Sequence, residues 1–326
     1  FLGACQGTSV SPKLPGPLRI AFTSHRALSV INADGSNLVR LTETDSMNPV
    51  WSPDSRQIAF STLDSVDVIN ADGTDRVQLF AGNSPSEVAW SPDGSRLAFS
   101  PYAGIGSGEL DIIDMQPPAL KKTRRLVDHI SATQLAWSPD SKHLAFTFGH
   151  DIDKPTQIML VDPDSPRELD GYYLYGVTDG TDLAWSPNGK QIAFSTNPNG
   201  PGVTVPQQIM VMNADGSSPK QLTSDHFNVP PIWSPDGKHI LVISTRNGID
   251  GDLYVMNPDG TDQKRLTSGI NLRQIAPAWS PDGQYIAFIA GDPANLALDV
   301  MNADGSNIRE LTKPVDDFGP PVWAPR

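Results

Sequence analysis

Aspartate is the side chain that this sequence repeats most conspicuously. Carboxylate oxygens at regular spacing are what a divalent cation or a general acid–base pair would need. Asp34, Asp72, Asp215, Asp259 and Asp304 stand in Asn-Ala-Asp-Gly or a near equivalent, and Asp54, Asp93, Asp140, Asp236 and Asp282 directly follow Trp-Ser-Pro. Their uniformity argues against chemistry. A turn former reappears in each copy of a repeat, whereas a catalytic or ligating residue breaks its symmetry, so these ten are expected to shape turns.

Asymmetry is therefore the filter for function. His25, His129, His150 and His226 fall in variable segments, and His143 and His239 open apolar runs. No His-x-His or His-x-x-x-His pair occurs, so no metal site is expected from them. Gly104-Ile105-Gly106-Ser107-Gly108 is glycine-rich but opens no helix and is not expected to cradle phosphate. No Gly-x-Ser-x-Gly nucleophile motif is present.

The elements that must position these residues follow from the tryptophans. Trp51, Trp90, Trp137, Trp185, Trp233 and Trp279 each begin Trp-Ser-Pro, and Trp323 begins Trp-Ala-Pro, at intervals of 39 to 48 residues. After each triplet come a turn, a short apolar run such as Gln57-Ile58-Ala59-Phe60-Ser61, and a variable loop. A second run such as Val211-Met212-Asn213-Ala214-Asp215-Gly216 follows, and then a segment ending in Leu-Thr, as in Leu222-Thr223. The runs are too short for helices and rich in Ile, Val and Phe, and the Pro-Asp-Gly and Asn-Ala-Asp-Gly sequences are turn formers. Each unit reads as four antiparallel strands, A to D, and a period in the forties reads as propeller blades. The fold expected is all-β, a seven-bladed β-propeller. The C-terminal strand A (320–324) should pair with strand B of blade 1, which Leu18-Arg19-Ile20-Ala21-Phe22-Thr23 begins. The tryptophans are expected to pack between blades.

These units resemble the PD40 repeat of the TolB-like propellers. Thr245-Arg246-Asn247-Gly248 and Tyr254-Val255-Met256-Asn257-Pro258-Asp259-Gly260 match it closely, and the likeness covers about residues 17–326. TolB itself is usually six-bladed and carries an α/β domain ahead of its propeller, whereas some 16 residues precede the first strand here. The resemblance therefore implies the fold and not TolB's own partner. Oligogalacturonate lyases, another propeller family, hold a divalent metal with histidines near the channel mouth. The histidines here are spread around the ring.

The formal charge of −13 argues against nucleic-acid binding. The basic run Lys121-Lys122-Thr123-Arg124-Arg125 reads as an outer strand defended by charge. Leu2-Gly3-Ala4-Cys5 resembles a lipobox, with Cys5 as the lipidated residue and the sole cysteine. The domain reading is thus 1–16 as lipobox remnant and tether and 17–326 as propeller. The expected localisation is extracytoplasmic, in the periplasm or at the cell surface, with the membrane engaged only through a lipid anchor.

In a propeller the A–B and C–D turns share one face, which is uniform here; the B–C and D–A loops share the other, which varies. Three residues before each tryptophan, Asn48, Glu87, Gln134 and Asp182 are polar while Pro230, Ala276 and Pro320 are not, which makes a lopsided channel rim. Tyr172, Tyr173 and Tyr175 are expected in the D–A loop after blade 4, and Tyr102 in the B–C loop of blade 3, with Asp179 and Asp182 beside them. Tyrosines on loops of a rigid scaffold suit a protein partner. The expected function is a non-enzymatic binding or scaffold propeller with protein partners at the cell envelope and no cofactor. The alternative is a propeller enzyme of carbohydrate-lyase or lactonase type, with its site, or a divalent cation, at the channel mouth.

Overall fold

Each Trp-Ser-Pro-Asp turn is built by its own side chains. Ser52 Oγ donates to Asp54 Oδ1 at 2.7 Å and accepts the Gln57 amide at 2.9 Å, tying the end of strand A to the start of strand B. Ser91 with Asp93, Ser138 with Asp140, Ser186 with Asn188, Ser234 with Asp236 and Ser280 with Asp282 repeat the first bond. The C–D turns work alike, with Asp34, Asp72, Asp215, Asp259 and Asp304 accepting the amide two residues on. Asp34, Asp54, Asp72, Asp140, Asp215, Asp236, Asp259 and Asp304 are held below the ordinary carboxylate range, chiefly by hydroxyl donors from the adjoining serine or threonine. The ten recurrent acidic positions are therefore turn formers, as their uniformity predicts.

The computed structural model describes residues 18–326 apart from 44, 83–84, 102–107, 117–121, 129, 131, 149–156, 166–171, 177–181, 198–206, 225–227, 249–250, 270–276, 293 and 314–316. Its strands form seven four-stranded antiparallel sheets. Strand A of blade 1 is Val322–Trp323, followed by Arg19–Ser24, Ala27–Asn32 and Val39–Arg40 as B, C and D. Blades 2 to 7 run in chain order from Met47–Trp51 to Arg309–Glu310. Ring closure is shown by Ile20 opposite Trp323 and Ala21 opposite Val322. The outer D strands are two residues long in blades 1, 5, 6 and 7 and longer in blades 2, 3 and 4, where Val77–Ala81, Lys122–Val127 and Tyr172–Gly176 form them.

The core lies between blades. Strand B places Phe60, Phe99, Phe146, Phe194 and Phe288 wholly out of solvent, where each contributes roughly 1.5–3 kcal/mol. The tryptophans join successive blades. Indole N–H groups of Trp51, Trp137, Trp185, Trp233 and Trp323 donate to Val322, Ala89, Ala136, Ala184 and Ala278, each a carbonyl of the preceding blade. Two arginines on the D strand of blade 3 are engaged internally: Arg125 pairs with Glu109, Asp111 and Asp128, and Arg124 donates to the Pro163 carbonyl of blade 4.

Candidate functional site

The A strands stand innermost, next to those of neighbouring blades, so their first residues ring the channel mouth on the loop face. Two acids converge there. Glu87, in strand A of blade 3 (Pro85–Trp90), is half-buried, and its carboxyl is raised to about 7, first by burial and then by the charge of Asp182. Asp182 immediately precedes strand A of blade 5 (Leu183–Trp185) and is also raised, again mainly by burial. The Ser195 hydroxyl works weakly against that shift and has no well-aligned hydrogen-bond partner. No described guanidinium or ammonium offsets either acid. Asn48, at φ +50°, and Gln134 occupy the same rim position on blades 2 and 4, both half-buried. Such a rim is suited to a hydrogen-bond donor or cationic group. A carboxyl near 7 is also matched to proton transfer.

The tyrosine expectation needs correction. Tyr172, Tyr173 and Tyr175 lie not in a D–A loop but in strand D of blade 4, with Tyr172 opposite Leu160, Tyr173 opposite Met159 and Tyr175 opposite Ile158. The C–D turn of blade 4, Asp162-Pro163-Asp164-Ser165, is a near equivalent of Asn-Ala-Asp-Gly, but strand D starts only at Tyr172 and carries no Leu-Thr ending, so its position is unannounced in the sequence. A bulge between Ile158 and Met159 accommodates the extended edge. The side chains of 172–176, and Tyr102, Asp179 and Cys5 altogether, lie outside the described residues. So does the pairing of Tyr102 with the blade 4 tyrosines. Among the described residues, no three His, Cys, Asp or Glu side chains stand close enough together to hold a metal.

Clefts on the opposite, turn-bearing face were not foreseen. Trp90, Trp185 and Trp279 are half-buried, unlike Trp51, Trp137, Trp233 and Trp323, which are buried. Cavities of about 450, 660 and 430 Å³ open beside them at the 2–3, 4–5 and 6–7 blade junctions. The signal lay in the residue at the start of strand B. Arg19 covers Trp51, whereas His143 lines the cleft at Trp185 and His239 the cleft at Trp279.

Residues 178–326 match the family described as TolB beta propeller domain. The chain is a β-propeller whose C-terminal part, blades 5 to 7, is TolB-like. The Tol-Pal system protein TolB of Thioalkalivibrio sulfidiphilus (strain HL-EbGR7) is 33% identical over 66 residues, a stretch that is 19% of this chain and 15% of that protein. TolB from Acinetobacter baumannii superposes with a TM-score of 0.60 at 19% identity, over 95% of this chain and 67% of that one. An oligogalacturonate lyase in complex with manganese superposes with a TM-score of 0.69 at 16% identity, over 92% of this chain and 86% of that one. At these identities the structural likenesses establish the fold alone, which in this chain has seven blades.

Proposed function

We propose that this TolB-like propeller is a non-enzymatic binding protein of the cell envelope, tethered outside the cytoplasmic membrane through Cys5. It docks a protein partner on its loop face. The observation that carries the reading is the acidic pair at the channel mouth. Glu87 and Asp182 share one arc of the rim, each shifted by burial and without a cationic counterpart among the described residues. A partner's donor or cation entering the mouth would relieve that shift, and the longer outer strands of blades 2, 3 and 4 give the same arc a broader edge. The likeness to a Tol-Pal system protein supports an envelope setting, and Leu2-Gly3-Ala4-Cys5 supports a lipid anchor.

A second reading, an enzyme of lyase or lactonase type, is favoured by one observation, the Glu87 carboxyl near 7. The two readings separate in one set of assays. Crosslinking in the native envelope should join the wild type to a protein partner. Glu87→Gln and Tyr173→Ala should each weaken that complex by at least about 1–2 kcal/mol without lowering the melting temperature. Turnover of oligogalacturonate or a sugar lactone by the wild type, abolished in Glu87→Gln, would instead establish the enzyme.

A further inference from the structure

A cation spans the blade junctions repeatedly in this ring. Between blades 1 and 2, the Arg19 guanidinium lies 4.8 Å from the Trp51 ring centroid and donates to the Ser55 carbonyl at 2.6 Å. Between blades 3 and 4, Arg96, at the same repeat position as Arg19, pairs with Asp164 in the C–D turn of blade 4. Between blades 5 and 6, Lys220 donates to the Asp259 carbonyl at 2.8 Å, and between blades 6 and 7, Lys264 donates to the Asp304 carbonyl at 3.0 Å. The last two cations sit on strand D opposite Val211 and Val255.

The junction between blades 4 and 5 has neither device among its described residues. His143 stands at the Arg19 and Arg96 position, and Tyr172, opposite Leu160, stands at the Lys220 and Lys264 position. The acceptors are nonetheless in place. Trp185 replaces Trp51, Gly189 replaces Ser55, and Asp215 replaces Asp164. Asp215 is ionised well below neutrality through its bonds to Ser217, with no cation contributing. Trp185, His143, Leu160, Asp140, Asn188 and Asp215 line the 660 Å³ cleft that results. Its lining includes no lysine or arginine, whereas the cleft between blades 6 and 7 includes Lys264.

We propose that the blade 4–5 cleft is a receptor for a guanidinium group, the arginine side chain of a partner peptide, stacked on the Trp185 indole and paired with Asp215. The cleft supplies from outside the interaction that Arg19 and Arg96 make from within. A planar guanidinium fits both surfaces at once, lying flat on an aromatic face while its N–H fork meets a carboxylate. A lysine ammonium, a compact point charge, does not. The site is on the face opposite Glu87 and Asp182, so it goes beyond the function proposed above and is tested apart from it.

The probes are the blocked tripeptides acetyl-Gly-Arg-Gly-amide and acetyl-Gly-Lys-Gly-amide and free arginine, titrated calorimetrically into the full chain. The arginine tripeptide should bind saturably and the lysine tripeptide about ten-fold more weakly or less. Free arginine, whose carboxylate meets Asp140 and Asp215, should also bind more weakly than the tripeptide. His143→Arg supplies the chain's own guanidinium and should abolish binding while leaving the melting temperature unchanged or higher. Asp215→Asn, at an exposed turn, should keep the fold and weaken the arginine tripeptide about ten-fold. The proposal is overturned if the wild type shows no saturable binding of the arginine tripeptide, or binds the lysine tripeptide or free arginine as tightly. Unchanged affinity in folded His143→Arg or in Asp215→Asn would overturn it too.

Discussion

The Trp51 indole N–H donates to the Val322 carbonyl at 3.0 Å, joining residues 271 positions apart in sequence. Ser55 Oγ makes a second closure bond to the Pro325 carbonyl, and Arg326 reaches Asp282 of blade 7 at 2.7 Å. Deletion of residues 320–326 removes strand A of blade 1, both bonds to blade 2 and the packing of Trp323. Loss of one core tryptophan costs roughly 3–5 kcal/mol, and loss of the strand costs more. The truncated protein should lose its cooperative melting transition or aggregate. A transition identical to that of the full chain would show that the ring closes some other way.

Glu87 makes stability fall with pH. Its folded pKa of about 7 exceeds the ordinary carboxylate value of 4.5, mainly through burial and secondarily through Asp182. The folded state therefore keeps a proton that the unfolded chain has released. This contribution is fully present below the unfolded pKa and is lost as the pH rises through about 7, by at most roughly 3 kcal/mol. Glu87→Gln should melt higher than wild type at pH 8 and much the same at pH 4. Parallel pH–melting curves for the two proteins would contradict the assignment.

Blade 7 carries an acidic mismatch. Asp299 lies opposite Glu310 in the register, one of its carboxylate oxygens has no hydrogen-bond partner, and its carboxyl is raised to about 6 by burial and then by Glu310. Asp67 and Asp111, at the same position of strand C, are instead paired with Arg76 and Arg125. Glu310→Arg should stabilise the protein by roughly 1–2 kcal/mol above pH 6, where Asp299 ionises, and by less at pH 4. Urea unfolding at the two pH values measures the difference.

Cys5 should carry lipid in the native host. Stable membrane anchoring needs more than one acyl chain, and a lipoprotein N-terminus supplies two or three. Intact mass of the native protein is decisive. A mature chain beginning at Cys5 with added acyl mass is expected, and a chain that retains Phe1 to Ala4 without it would exclude the anchor.

Blade number, strand order and ring closure were legible in the sequence because each rests on local chemistry repeated from blade to blade. The serine and aspartate of each Trp-Ser-Pro-Asp build their own turn, and the Ile-Ala-Phe run, apolar at successive positions, marks a strand buried on both faces between blades. The rim position was legible for the same reason, since three residues before each tryptophan is a fixed place in a strand. The fold decided how Glu87 and Asp182 act on one another, because burial and charge across a channel depend on two blades meeting in space. It also decided that Tyr172, Tyr173 and Tyr175 form a strand edge, since their pairing with strand C has no local signal such as the Leu-Thr ending. The cleft at Trp185 shows the division most sharply. His143 at the start of strand B is visible in the repeats, but that it lines a cleft beside the half-buried Trp185 indole of the next blade follows only from the packing of blade 4 against blade 5.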